Sequence, residues 1–366
     1  MSLEKFRPLL QPKPEWGPLA TFVPNKRLPV YNWLYFKEGF SRSLVFELAR
    51  LFQLQPGDLV LDPWCGSGTT LLACKELGIN STGLDLLPIA LLASHAKTQH
   101  YDPEKLRSLS TALFSVPFRN IPSPGPFTRF FDRHLLDDVL LFREEVERLP
   151  SPERDFFLLA LVSSTIRASW LWKDGTVLKV RKHPVPPFRK FFRNRVLRMI
   201  KEYERFPTTV AKALVMEANP ANIVLEDETV QAVITSPPYL NQIDYSRVYA
   251  VENWLLGHWD GPFTQPSLPA YLGEESESRY FLDMAAILKE LFRVCSPGAR
   301  LGIVIGNAYF PPQDKIVESD LLLASLGEEA GFRPKKILVL NTRAALQHRT
   351  IKKGLLRESL LLLEKP

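Results

Sequence analysis

Hydrophobic positions along this chain fall into two regimes. Asp58–Trp64 (DLVLDPW) is a short apolar run ending in a glycine-rich turn, and Thr69–Leu77 after it has helical spacing and stops at Gly78. Ser81–Leu86 (STGLDL) predicts a second strand, and Pro88 to about Thr98 a second helix with proline in its first turn. Strand-like runs then vanish. From Pro103 to about Ala218 the pattern predicts helix, with Asp132–Leu149 and Glu153–Ser169 as its clearest segments and proline clusters at Ile121–Phe127 and His183–Phe188. Strands resume at Asn222–Leu225, Ala232–Ser236, Arg300–Gly306, Lys336–Leu340 and Ser359–Glu364, with a helix at Glu277–Val294. Seven strands interleaved with helices predict an α/β fold: a mostly parallel seven-stranded sheet whose last strand is antiparallel, plus a large helical insertion. The implied divisions are a Pro-rich N-terminal arm (1–30), a catalytic domain in two pieces (31–99 and 216–366), and the helical insertion (100–215).

Composition narrows the class. Hydrophobic residues make up 45% and charged ones 23%, a soluble globular balance that excludes a disordered chain or a fibre. No apolar run approaches the roughly 20 residues that span a bilayer, and no basic leader precedes an apolar stretch. Three cysteines without a CxxC pair and six scattered histidines give neither a disulfide framework nor a metal site. The expectation is a cytoplasmic, metal-free protein.

The net charge of +6 is concentrated in one place. Between Lys173 and Lys201 ten cations face one acid, Asp174, a local +9 that leaves the rest of the chain at −3. Lys179, Arg181, Lys182, Arg189, Lys190, Arg193 and Arg195 are the candidate nucleic-acid contacts. Phe188, Phe191 and Phe192 alternate with them, with Trp170 and Trp172 just upstream, a mixture suited to phosphates and unpaired bases. The competing reading is an amphipathic helix whose phenylalanines face the core.

Two motifs carry the chemistry. In Asp62-Pro63-Trp64-Cys65-Gly66-Ser67-Gly68-Thr69, Gly66 and Gly68 let backbone approach a ligand where a strand enters a helix. Asp85 ends the next strand, where a carboxylate accepts the hydroxyls of a ribose. The dinucleotide pattern fails, because position 71 is Leu, and no Lys-Ser or Lys-Thr marks a nucleotidase loop. In Ser236-Pro237-Pro238-Tyr239, two prolines at a strand's exit remove donors and leave acceptors, with a hydroxyl before them and a ring after. That suits a planar group bearing an NH2.

The combination resembles the S-adenosylmethionine-dependent amino-methyltransferases of nucleic acids, in particular the N4-cytosine DNA methyltransferases, with their DPxxGSGT cofactor loop and SPPY catalytic loop. Adenine-N6 relatives more often carry Asp or Asn before the prolines. Tyr35–Ser41 is similar to the segment covering the methionine end of the cofactor. The resemblance spans about Tyr31–Gln99 and Asn219–Lys365 and leaves the helical block unmatched. It implies a Rossmann-like methyltransferase with S-adenosylmethionine held by Phe40, Ser41, Asp62, Gly66, Ser67, Gly68, Thr69 and Asp85. Asn219 stands in for the usual acid that holds the adenine amine. Ser236 and the Pro237 carbonyl would accept from the target amine, Pro238 would stiffen the turn, and Tyr239 would stack on the extruded base. The implied activity is methyl transfer to cytosine N4 in DNA.

The rivals are the same transfer to cytidine in RNA and a non-catalytic nucleic-acid-binding subunit. A restriction partner, the recognition sequence and the oligomeric state are not legible. C5 methylation needs a cysteine nucleophile, typically after proline; Cys65, Cys74 and Cys295 follow Trp, Ala and Val. Asn241, Asp244 and Tyr245 follow the catalytic loop closely enough to line a base pocket, with a surface role as the equal alternative. Arg343, His348, Arg349, Lys352 and Lys353 form a smaller basic cluster.

Overall fold

The computed structural model describes residues 3–121, 125–174, 177–207, 209–240, 244–258, 276–310, 313–347 and 351–366, except the side chains at 346, 347, 351 and 352. Strand β1 (Leu10–Pro12) lies in the N-terminal arm among short 3-10 turns. Helix α1 (Arg42–Phe52) begins where the Leu44 N–H donates to Ser41 Oγ and ends at Gln53 in the left-handed region. Strand β2 (Leu59–Asp62), helix α2 (Thr69–Glu76), strand β3 (Asn80–Asp85) and helix α3 (Pro88–Thr98) follow as two strand–helix units. The insertion contains α4 (Pro103–Ser115), α5 (Arg133–Glu147), α6 (Glu153–Ala168), a hairpin of β4 (Leu171–Asp174) and β5 (Val177–Val180), and α7 (Phe188–Glu204). Then come β6 (Ala213–Glu217), β7 (Val230–Thr235), α8 (Tyr245–Val248), α9 (Ala250–Leu255), α10 (Ser276–Val294) and β8 (Cys295–Gly306). A small hairpin of β9 (Ala308–Phe310) and β10 (Lys315–Val317), helix α11 (Ser319–Ala330), and the long strands β11 (Arg333–Gln347) and β12 (Ile351–Glu364) complete the described chain.

The main sheet has the order β1-β11-β12-β8-β7-β2-β3-β6. All its pairings are parallel except those of β12, which runs antiparallel to both β8 and β11. The expected single antiparallel strand is therefore the last one, inserted between its neighbours. Alternate residues of the central strands face opposite layers. Val60 and Ala232 pack with Leu44 and Leu48 of α1 on one face, while Leu61 and Val233 pack with Leu291 of α10 and Leu323 of α11 on the other. With both faces covered, these strands read as continuous apolar runs.

Three strand expectations are corrected. The third sheet strand is β6, five residues paired with Ser81–Asp85, and Asn222–Leu225 is not a strand. β6 is an edge with a mixed exposure pattern, so it lacks the apolar run of the centre, whereas Val224 in NIVL is 73% exposed. The drawn boundary at 215/216 thus cuts a sheet strand. The N-terminal arm adds an eighth strand through β1, where Pro12 is tolerated because an edge asks for no donor on its open side. The insertion also holds the β4–β5 hairpin, where helix was expected.

The insertion packs onto the catalytic half. Phe142, Phe156, Phe192 and Val196 share one buried cluster with Ala90 and Ala93 of α3 and with Tyr31 and Trp33, just after the arm. Each fully buried large side chain contributes about 1.5–3 kcal/mol. Among the described residues no helix is long and apolar enough to cross a membrane.

Candidate active site

The carboxyl ends of β2, β3 and β7 meet at one edge of the sheet, where an open α/β sheet places its ligands. A cleft of about 680 Å³, counting its open mouth, lies there. Phe36, Glu38, Gly39, Phe40, Asp62, Trp64, Cys65, Gly66, Ser67, Thr69, Asp85, Leu87, Ser236, Pro238 and Tyr245 line it. Both motifs, 167 residues apart between Thr69 and Ser236, share this one space.

The glycine turn is built as its sequence requires. Gly66 and Gly68 have φ of 51° and 78°. A Cβ on Gly68 would lie 2.8 Å from Ser94 Oγ and 2.9 Å from Ser94 Cα, so α3 closes that position to any side chain. Ser94 Oγ donates to the Gly66 carbonyl over 2.9 Å, and the buried Lys97 Nζ donates to the Ser67 carbonyl over 2.8 Å. Burial, reinforced by Arg195, pulls that ammonium down to about 7.

Three carboxylates line the cleft, Glu38, Asp62 and Asp85, and the last two stand at the strand ends. Asp62 is 2% exposed; Thr235 Oγ1 donates to its Oδ1 over 2.7 Å and the Trp64 N–H donates over 3.2 Å. Burial pushes it up to about 6, against those hydrogen bonds. Asp85 Oδ2 accepts from the Gly66 N–H over 2.9 Å, and Oδ1 accepts from the Leu86 and Leu87 N–H groups over 2.8 and 2.9 Å. Burial raises it, opposed by those amides. Its remaining lone pairs stay available to hydroxyl groups.

Ser236 Oγ donates to the Val304 carbonyl over 3.1 Å. Its hydrogen is committed to the neighbouring strand, so lone pairs are what it offers the cleft. Pro238 lines the cleft beside it, while Pro237 is buried and not among the lining residues. Tyr239, expected to stack on the base, is not among the residues lining this cleft. It lines a neighbouring cavity of about 380 Å³ with Asn307, Asn341, Arg343 and Glu358, and its hydroxyl donates to Glu358 Oε1 over 3.2 Å. Tyr245 is the tyrosine in the cleft itself, its hydroxyl raised by burial and then by Glu38 and Asp85.

Other expected contacts divide. Phe40 and Thr69 line the cleft, whereas Ser41 is fully buried and caps α1. Asn219 is not among the lining residues; it follows β6 and accepts from the Ala221 N–H over 2.9 Å, a turn-forming use of its side chain. Asp244 caps α8 by accepting from the Arg247 N–H. Asn241, His348, Arg349 and the Lys352 side chain lie outside the described residues. The three cysteines are buried and unpaired, and Cys65, though at the cleft, is held as a thiol chiefly by burial, then by Asp85 and Asp62.

The basic segment is also sorted by packing. Arg181, Lys182, Lys190 and Arg193 are exposed, Arg181 over the Trp172 ring at 5.0 Å and Lys182 over Trp170 at 5.2 Å. Lys179 pairs with Asp174 at 2.6 Å. Arg189 donates to Asp138 and to the Val116 carbonyl, and Arg195 is buried against the Asn32 and Trp33 carbonyls. Neither stands on the open face. Phe188 and Phe192 belong to the core, leaving Trp172 as the ring exposed beside these cations.

Sequence reading missed Asn25, fully buried in the proline-rich arm. Its Nδ2 donates to the Phe40 carbonyl over 3.0 Å and its Oδ1 accepts from the Arg42 N–H over 2.9 Å, fixing the segment over the cleft. Nothing local marks it. Tyr245, one of three residues expected either in a base pocket or at the surface, lines the cleft, and so does Glu38, which had no individual role assigned.

The cleft fits S-adenosylmethionine by its carboxylate acceptors and its apolar walls. Asp62 matches an ammonium, Asp85 matches ribose hydroxyls, and the glycine turn forms part of the cleft wall. Phe36, Phe40, Trp64 and Leu87 supply apolar walls. Sheet order, glycine turn and these acceptors define an S-adenosylmethionine-dependent methyltransferase. The DNA methylase family of N6 and N4 amino-methyltransferases matches residues 40–91. Type II methyltransferase M.BsoBI of Geobacillus stearothermophilus is 28% identical over 95% of this chain and 88% of its own length. Type II methyltransferase M.AvaI of a Nostoc strain is 24% identical over 88% of this chain and 83% of its own. A solved methyltransferase of Methanosarcina mazei covers 87% of this chain and 96% of its own at 13% identity and a TM-score of 0.34, too distant to inform the site. Over residues 40–91 the chain is similar to the DNA methylase family, and over most of its length to these two type II methyltransferases.

Proposed function

We propose that this protein transfers a methyl group to the exocyclic N4 amine of cytosine in DNA, in the cytoplasm. The observation that carries the reading is Ser236, acceptor-only toward the cleft, standing with Pro238 across from Asp62 and the glycine turn. The two type II methyltransferase relatives support DNA as the polymer.

When bound, S-adenosylmethionine supplies an electrophilic methyl group on a positively charged sulfur. Asp62 would hold its ammonium and Asp85 its ribose hydroxyls, with Phe40 and Trp64 excluding water. A base inside a duplex cannot reach this cleft, so the cytosine enters unstacked. Ser236 Oγ accepts one amine N–H and draws that hydrogen out of conjugation, leaving the nitrogen lone pair free to attack. Tyr245, the tyrosine in the same cleft, would flank the base plane; Tyr239 acts from the adjoining cavity through Glu358. Orientation and hydrogen bonding carry the reaction, and the proton leaves the nitrogen afterwards to solvent. Of the segment's cations, Arg181, Lys182, Lys190 and Arg193 are placed to meet phosphates.

Tritiated methyl transfer to polymerase-amplified DNA and to total RNA, followed by nucleoside analysis, tests the reading. N4-methylcytosine from DNA is expected. N6-methyladenine, or transfer to RNA alone, would overturn it.

A further inference from the structure

A second and larger cavity, about 1730 Å³ with its open mouth, lies against the cleft. Its walls come from the N-terminal arm, α6, α7, β4, α8 and α9. Phe36 of the cleft stacks on Tyr249 of this cavity, with ring centroids 4.8 Å apart and planes 6° apart, and Glu38 lines both spaces. A single aromatic partition separates them.

The cavity wall carries six cations, Lys26, Lys37, Arg167, Lys173, Arg195 and Arg198, against two carboxylates, Glu38 and Glu252. Each acid already has a partner on one oxygen: Tyr249 donates to Glu38 Oε2 over 2.6 Å, and Lys173 donates to Glu252 Oε1 over 2.5 Å. Lys37, Arg167 and Arg198 are exposed and have no ion pair among the described residues. Arg195 is 7% exposed, and its Nε–H is buried without an acceptor. Burial, then Arg167 and Arg198, pull this guanidinium down to about 10 against the attraction of Glu202. Like charges gathered around an unsatisfied buried donor cost stability unless an anion enters.

We propose that this cavity is a phosphodiester site, holding the phosphate of a DNA nucleotide next to the base that enters the cleft, against Arg195, Arg167 and Arg198. This rests on the DNA-methylation reading above. Phosphate oxygens satisfy the orphaned Arg195 donor and neutralise its neighbours. Asn32 Oδ1 and Glu252 Oε2, buried without donors, accept from the amino groups of an adjoining base. The cavity's place one ring away from the cleft puts this contact within a neighbouring nucleotide's reach. An extruded base needs its flanking backbone fixed, and phosphate contacts do that without reading sequence.

Arg195 also holds the Asn32 and Trp33 carbonyls, so replacing it risks the fold; Arg167 and Arg198 are exposed and test the site cleanly. Wild type and the Arg167→Gln/Arg198→Gln variant are compared for methyl transfer to amplified DNA, for salt-dependent binding of a fluorescent DNA duplex, and for S-adenosylmethionine affinity by calorimetry. The variant is expected to raise KM for DNA about tenfold or more and to lower the salt slope by about one to two, with cofactor affinity kept. A wild type that methylates DNA while the variant keeps its KM and salt slope overturns the cavity assignment alone. A wild type inactive on DNA overturns both readings. Weakened binding of single-stranded RNA with DNA binding intact also overturns the proposal.

Discussion

Thr235 Oγ1 donates to Asp62 Oδ1 over 2.7 Å, joining the strand that delivers the glycine turn to the strand that delivers Ser236. Pairing of Val60 with Ala232 and Leu61 with Val233 sets the register that brings them together. Thr235→Val keeps the shape and removes the donor. A hydrogen bond to a charged group is worth about 1.5–3 kcal/mol, so S-adenosylmethionine affinity at pH 7 is expected to fall about tenfold by calorimetry. An unchanged Kd would show that the two strand ends are not energetically coupled.

Asp62 also sets a pH dependence. Its carboxyl is raised to about 6 in the free protein, and a bound ammonium favours the ionised form, so the complex has the lower pKa. Affinity is therefore full above pH 7 and lost as pH falls through 6, by up to about tenfold per unit. Asp62→Asn is expected to bind weakly at every pH, with a flat profile between pH 5 and about 8.

Gly68→Ala places a Cβ into Ser94 at a φ of 78°. Strain and overlap together cost about 1–3 kcal/mol, visible as a lower melting temperature and as lost cofactor binding. Gly57→Ala is the control: its φ is also positive but nothing lies within 4 Å of the added atom. It should lose stability without touching cofactor affinity.

Ser236→Ala is expected to lower kcat about a hundredfold while the cofactor Kd stays within about threefold, because the acceptor acts on the amine. Tyr245→Leu should behave likewise. Tyr239→Phe removes the bond to Glu358 and keeps the ring, and should lower kcat less than either. Equal losses at all three positions would mean that Tyr239 swings into the cleft during turnover.

Asp320 is fully buried and accepts from Arg357 Nε over 2.9 Å, from Arg357 Nη2 over 3.0 Å and from Ser359 Oγ over 2.9 Å. Asp320→Ala leaves Arg357 Nε and Ser359 Oγ unmatched beside the β12 strand, while Arg357 Nη2 keeps Glu318. Breaking such a pair costs about 3–5 kcal/mol, to be read from urea denaturation, with the site residues untouched.

The glycine turn and the Ser-Pro-Pro-Tyr turn were legible because each is a short-range instruction. Positive φ requires glycine, and two prolines remove two donors wherever the strand happens to lie. Helices α3, α6 and α10 were equally readable from their periodicity. Edge strands were not: β6 lacks a buried face on its outer side, and β1 is three residues of a proline-rich arm held by pairing with β11. No local pattern encodes a pairing made with a strand some three hundred residues away.

The sequence alone determined the two motifs, their place at strand exits, and the concentration of the net +6 into a +9 segment. Only the tertiary structure decided which of those groups serve together. Packing of α7 turned Arg189 and Arg195 inward and left Arg181, Lys182, Lys190 and Arg193 in solvent. The tertiary structure also put Tyr245 rather than Tyr239 in the cleft. Residue type is written in the chain, but the face a side chain presents depends on which neighbours bury it, and those neighbours arrive from distant segments.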